Sequence, residues 1–138
     1  MYSVDKNVRK MIFIKDWFQK RTDYISSPYD PYIFFYKGSH SKYYKNKIVS
    51  QKPFSYSICV YVTYECVEVV AWIDDITEKN HIKELDREGD VFNLEFVQEE
   101  NLNHIISYVQ ELDIKLEKRV KEYIIKYKLK NLENDFKK

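Results

Sequence analysis

Glycine is nearly missing from this chain of 138 residues: Gly38 and Gly89 are the only two. Glycine-rich loops let a backbone close round a phosphate, and two isolated glycines cannot build one. Neither G-x-G-x-x-G nor G-x-x-x-x-G-K-[ST] occurs, which excludes the usual nucleotide cradles. The G-x-S-x-G nucleophile elbow is absent as well. Proline is scarce, with three residues, and no Pro- or Gly-rich linker divides the sequence. Cys59 and Cys66 are the only cysteines. Their C-x6-C spacing fits no zinc site, and two reduced thiols of an intracellular protein are expected. Long apolar runs are missing too. Met11-Ile12-Phe13-Ile14 is the longest near the start, too short for the core of a signal peptide. Nothing approaches the ~18 apolar residues of a membrane span. A cytoplasmic protein with no membrane contact is expected.

What is present is apolar mass and charge. The chain is 44% hydrophobic and 33% charged, with 13 tyrosines and 8 phenylalanines. This composition suits a folded domain rather than a disordered or membrane protein. The length matches one domain over 1–138, large enough for a core without staples. The net charge is only +1, but it is segregated. Residues 1–53 carry net +7 and residues 74–100 carry net −7.

Hydrophobic period gives the elements. Val4, Val8, Met11, Ile12, Phe18 and Ile25 recur at helical spacing, so 4–25 reads as a helix stopped by Ser26-Ser27-Pro28. Residues 29–37 read as a strand, and 42–52 as a basic edge strand or a loop. From Phe54 to Tyr64 apolar and polar residues alternate, the mark of a strand with one buried face. A second strand, 67–73, follows without a glycine at Glu65-Cys66, so a tight turn of uncommon composition or a bulge is expected there. Residues 77–86 can form a short helix, Glu88-Gly89-Asp90 a turn, and 91–97 a third clear strand. In that strand Phe92, Leu94 and Phe96 share a face. The final segment carries a stripe from Leu102 to Tyr127 at spacings of three and four. Unbroken over 99–133 it measures about 50 Å, so it either breaks near Asp113 or projects over 113–138. The expected fold is α+β: an antiparallel sheet of three to five strands, with an N-terminal helix and a long C-terminal helix on one face.

No catalytic set assembles. His40, His81 and His104 form no metal-binding spacing, and His81 among Asp74, Asp75, Glu78 and Glu84 reads as a solvated loop. Asp113-Ile114-Lys115 matches half of a nuclease pattern but lies in a helical stretch. An enzyme is not expected, nor a cofactor or a metal.

Two charged segments point to binding. Asp74, Asp75, Glu78, Glu84, Asp86, Glu88 and Asp90 lie within one acidic block suited to docking a basic protein partner. Tyr61 and Trp72, opposite the apolar strand face, are the candidate aromatic anchors. The alternative is nucleic-acid binding through 36–47. There Lys42, Tyr43, Tyr44, Lys45 and Lys47 interleave charge with rings that stack on bases. The segment lacks arginine, which leads specific recognition. Self-association through the C-terminal helix is a third possibility.

The layout adds a likeness. Ile14-Lys15-Asp16-Trp17-Phe18-Gln19-Lys20 in a first helix is followed by Ser57-Ile58-Cys59-Val60-Tyr61-Val62. Next come Val67-Glu68-Val69-Val70-Ala71-Trp72-Ile73-Asp74, a polar loop, and Phe92-Asn93-Leu94-Glu95-Phe96-Val97. This order resembles small bacterial immunity proteins of the TriTu type and related polymorphic-toxin immunity families, over about residues 12–112. The resemblance implies a cytoplasmic inhibitor that neutralises one secreted or contact-dependent toxin without catalysis. It carries over no functional residue. Two departures stand out: the glycine usual between the central strands is missing, and 113–138 extends the last helix.

Overall fold

A computed structural model describes residues 2–21, 23–29, 32–38, 53–78 and 81–136. Helix α1 (Tyr2–Gln19) leads into strands β1 (Ile25–Tyr29), β2 (Tyr32–Gly38), β3 (Phe54–Val62), β4 (Cys66–Glu78) and β5 (His81–Asn93). A 3-10 turn at Glu99–Asn101 opens helix α2 (Leu102–Phe136). The five strands form one antiparallel sheet in chain order, β1-β2-β3-β4-β5. The α+β expectation is met, with the sheet at five strands.

Strand alternation builds the core. Ile58, Val60 and Val62 of β3 pair with Ala71, Val69 and Val67 of β4, and all six are buried. They share one core with Ile14 and Phe18 of α1 and with Leu102, Ile105, Val109, Leu112, Leu116 and Val120 of α2. Phe18 stacks on Phe35 at 5.4 Å and meets Tyr24 edge-on at 5.0 Å. Lys10, a buried side chain of α1, donates to the Leu94 carbonyl and ties that helix to the end of β5.

Several local expectations are corrected. The first helix stops at Gln19 rather than near residue 25. Arg21 folds back over the Trp17 ring at 4.8 Å and donates to Asp23. Ser26-Ser27-Pro28 belongs to β1, an edge strand, where a proline removes no ladder bond that the sheet needs. The 77–86 segment is not a helix. β4 runs on to Glu78 and β5 starts at His81, with Asp75 opposite Lys83 and Asp74 opposite Glu84. Its charge spacing suits a helix surface, but cross-strand pairing overrides it. Glu88-Gly89-Asp90 lies within β5 rather than at a turn. The strand expected over 91–97 ends at Asn93, whose Oδ1 accepts from the Glu95 N–H at 3.0 Å and whose carbonyl accepts from Phe96. Leu94 is therefore buried while Phe96 is exposed, not on its face. Segment 42–52 lies outside the described residues.

The missing glycine between β3 and β4 is replaced by Thr63. Its Oγ1 accepts from the N–H groups of Glu65 and Cys66 at 3.1 and 3.0 Å. A side-chain hydroxyl thus closes the turn that glycine usually shapes. Both cysteines are free; Cys59 opposes Val70 and Cys66 opposes Asn93.

Helix α2 does not break at Asp113; it spans 35 residues. Its last buried residue is Val120. Beyond it, Tyr123 stacks on Phe54 at 5.2 Å and Tyr127 meets the same ring edge-on at 6.1 Å.

Gly89 is the residue on which the β4–β5 pairing turns. A Cβ there would stand 2.1 Å from the Val69 carbonyl oxygen, a rigid backbone atom. Gly89→Ala is expected to lower the unfolding free energy by about 2 kcal/mol, by analogy with overpacked cores. Urea denaturation measures this, and an unchanged midpoint would contradict so close an approach.

Candidate functional site

The strand register arranges in rows the face of the sheet turned away from α1 and α2, which is helix-free among the described residues. Successive side chains of a strand point to opposite faces, so Tyr61, between the core residues Val60 and Val62, points away from the helices. Phe34, Tyr61, Glu68 and Val91 oppose one another across β2, β3, β4 and β5. Phe34 lies against Tyr61 with ring centres 4.4 Å apart and stacks on Tyr36 at 5.1 Å. Tyr61 remains 38% exposed, and Val91 is exposed as well. The next row holds Tyr36, Cys59, Val70 and Gly89. Farther along stand Ser57 opposite Trp72, then Ser55 and Glu84 on either side of Asp74. One end of the face is thus aromatic and the other acidic.

The two proposed anchors differ. Trp72 lies on the face expected but is only 8% exposed. Its Nε1 donates to Asp74 Oδ1 at 2.8 Å, and the Arg87 guanidinium lies 5.5 Å from its ring centre. It is part of the sheet's packing, whereas Tyr61 presents surface.

A β-bulge explains how Arg87 reaches that ring. Ala71 opposes Glu88 and Ile73 opposes Leu85, so Trp72 alone faces Asp86 and Arg87. Asp86 takes φ 52°, the left-handed region that aspartate tolerates better than most residues. The extra residue re-aims the strand. Arg87 turns to the Trp72 face, and Asp86 turns to α2. There Asp86 Oδ2 accepts from Arg119 Nη2 at 2.9 Å and from the Tyr123 hydroxyl at 2.9 Å.

Every carboxylate of the predicted acidic set has a partner inside the chain. Glu88 pairs with Lys115 of α2 at 2.8 Å. Glu84 accepts from Arg87 at 2.7 Å and Glu78 from Lys83 at 3.0 Å. Asp75 Oδ1 accepts from the Thr77 N–H and hydroxyl at 3.0 and 2.6 Å. Asp90 accepts from the Val91 N–H at 2.8 Å. Asp74 is buried under the Trp72 bond. The set therefore divides. Asp86 and Glu88 fasten the β4–β5 hairpin to α2, while Glu78, Glu84 and Asp90 remain exposed at the surface. Sequence reasoning missed Glu68, although its place in the alternation, two before Val70 and four before Trp72, puts it on the same face. It missed Arg87 because a bulge leaves no mark in strand periodicity.

The Lys/Tyr segment of the alternative reading is represented by its first residues only. Lys42, Tyr43, Tyr44, Lys45 and Lys47 lie outside the described residues. Lys37, at the start of the segment, is engaged: its Nζ reaches Asp113 Oδ2 at 2.6 Å and Asp23 Oδ2 at 3.3 Å. The Tyr56 hydroxyl donates to the other Asp113 oxygen. The Lys37 ammonium also lies 5.9 and 5.8 Å from the ring centres of Tyr24 and Tyr56. Asp113 thus joins the middle of α2 to β2 and β3. Burial, reinforced by the Asp113 bond, pushes the Tyr56 pKa up, and burial does the same for Tyr24. Burial also pushes the Cys59 thiol up to about 12, which makes it a poor nucleophile.

Among the described residues no group of three or more His, Cys, Asp or Glu is placed to hold a metal ion. No helix among them is long and apolar enough to cross a membrane. Set against protein families, curated proteins and solved structures, the chain matches none.

Two measurements check these assignments. Asp86→Ala keeps a Cβ in the left-handed region and removes both α2 contacts. It is expected to destabilise by about 2 kcal/mol, and Asp86→Gly is expected to recover about 1 kcal/mol of that. Equal urea midpoints for both variants would show that the backbone at Asp86 is unstrained. The second measurement is alkaline stability. Tyr24, Tyr56 and Cys59 all hold their protons more tightly folded than unfolded. Their contribution is complete below the unfolded values, 9.0 for the thiol and 10.0 for the tyrosines, and is lost as pH rises past them. Stability is expected to fall from about pH 9 upward. Tyr24→Phe is expected to make the slope above pH 10 shallower by up to about 1.4 kcal/mol per pH unit, the value for one proton.

Proposed function

We propose that the chain is a protein-binding inhibitor of the immunity or antitoxin kind, cytoplasmic, which occludes a basic partner with the helix-free face of its sheet. One observation carries the reading: the row of Phe34, Tyr61, Glu68 and Val91. There a partly exposed tyrosine and an exposed valine flank an exposed carboxylate. Tyrosine is among the residues that most often anchor a binding hot spot, and a carboxylate beside it complements a basic partner. The surrounding hairpin adds to it. Between residues 65 and 95 there are ten acidic side chains against three basic ones, which would steer a basic protein toward this face. Glu68 and Glu84 are assigned the charge contacts and Tyr61 the anchor. Asp86 and Glu88 support the surface from behind, and Asp74 holds the Trp72 ring within it. β5 is an edge strand, but its charges and its bulge discourage backbone pairing, so docking would proceed through side chains. The likeness in layout to immunity proteins agrees with this reading and adds no residue to it.

The test begins with immobilised full-length chain and lysate of the native host, at low and at high salt. A basic protein retained at low salt is identified by mass spectrometry and purified. Glu68→Lys with Glu84→Lys is expected to weaken its binding at least about tenfold, which corresponds to about 1.4 kcal/mol. Tyr61→Ala is expected to do the same. Co-expression of the chain should also relieve any toxicity of the captured protein. Unchanged affinity in both variants, or unrelieved toxicity, would remove the proposal.

A further inference from the structure

The second half of α2 carries two apolar stripes. Leu112, Leu116 and Val120 are buried in the core, and Tyr123 and Tyr127 continue the same line onto Phe54. Ile125, Leu129, Leu132 and Phe136 form the other stripe. The first three are more than half exposed, and Phe136 is 87% exposed. At 3.6 residues per turn the second stripe lies on the side of the helix opposite the first. Its spacings of four, three and four are those of a coiled-coil seam, whereas a helix that merely continues into solvent has no need of a second apolar line.

Charges flank this seam in a pattern that selects an occupant. Lys128 and Asp135 lie along one side of it, and Lys126 and Glu133 along the other. All four are exposed. Let the same helix of a second copy lie against the seam in antiparallel sense, with Leu129 against Leu132 and Ile125 against Phe136. Lys128 then faces Asp135 of the second copy, and Lys126 faces its Glu133. By two-fold symmetry each contact occurs twice, so all flanking contacts join unlike charges. A parallel pair would set Lys128 against Glu133 of the second copy but Lys121 against Lys126, so only the antiparallel pair joins unlike charges throughout. The length of the helix agrees with the antiparallel arrangement. The segment past Val120 runs for about 24 Å, enough to overlap the whole seam. The sheet of each copy lies on the far side of its own helix, away from the partner.

We propose that residues 125–136 of α2 pair with the same residues of a second copy as an antiparallel helical pair, with Ile125, Leu129, Leu132 and Phe136 at the seam. Four apolar side chains from each copy make a small interface, which belongs to the weak, concentration-dependent class. The pairing uses a surface of α2 and not the sheet face invoked above, so it is independent of the function proposed there.

Sedimentation equilibrium of the full chain, across micromolar to near-millimolar concentrations, tests it. A monomer–dimer equilibrium is expected. Leu129→Glu with Leu132→Glu, both on an exposed face, should raise the dissociation constant at least about tenfold with unchanged far-UV circular dichroism. Charge variants fix the orientation. Lys126→Glu is expected to weaken the dimer severalfold, and adding Glu133→Lys to it is expected to restore the dimer. A chain that stays monomeric throughout overturns the proposal. So does a dimer insensitive to the two leucine changes. A dimer that Lys126→Glu strengthens indicates the parallel pair and overturns the arrangement stated here.

Discussion

Two residues of β5, Asp86 and Arg87, oppose the single residue Trp72 of β4, and the placement of the hairpin on the rest of the molecule follows from that extra residue. Because of it, adjacent charged side chains leave the strand in directions that serve different layers. Asp86 crosses to Arg119 and Tyr123 of α2, and Arg87 lies over the Trp72 ring. Glu88, two residues on, repeats the crossing with Lys115. A long, polar edge hairpin has little apolar surface with which to hold itself to the core. Here ion pairs to the helix supplement the apolar contacts of Leu85 and Phe92. Such exposed pairs are individually weak. Their value lies in fixing where the strand sits, since Gly89 allows β5 to approach β4 closely only in this register.

The same device accounts for the division of the acidic block. Ten carboxylates in residues 74–100 look alike in a sequence. In the fold some are fasteners and some are surface. The docking proposed above would draw on the latter, while the former hold the surface in shape. Asp74 is a clear example: it is buried, takes the Trp72 indole hydrogen, and so orients the ring that Arg87 covers.

The architecture was legible because it rests on period. Phe54 to Val62 and Val67 to Ile73 alternate cleanly, and the stripe from Leu102 to Val120 is regular, so strands, helix and buried faces followed from spacing alone. The 77–86 segment was not legible. Its apolar residues are too few to show a period, its charges suit a helix, and pairing with β4 decides its conformation. Trp72 was placed on its face correctly, but its burial depends on Arg87, and Arg87 reaches it through a bulge that no local pattern announces. Asp113 was read as a point of weakness in α2. It is instead a long-range partner of Lys37 and Tyr56, residues more than fifty positions away, and only the register of the sheet brings them together.

The sheet follows chain order, each strand pairing with its neighbour in sequence. During synthesis every hairpin can therefore form as soon as its second strand leaves the ribosome, with short loops to close between most of them. The helix that covers Val60, Val62, Val67 and Val69 is made after all five strands. Until α2 has emerged as far as Val120, a sheet that is otherwise complete has only α1, through Ile14 and Phe18, on its apolar side. Apolar surface left open in this way is what makes partly folded chains prone to associate, and α2 is the element that closes it.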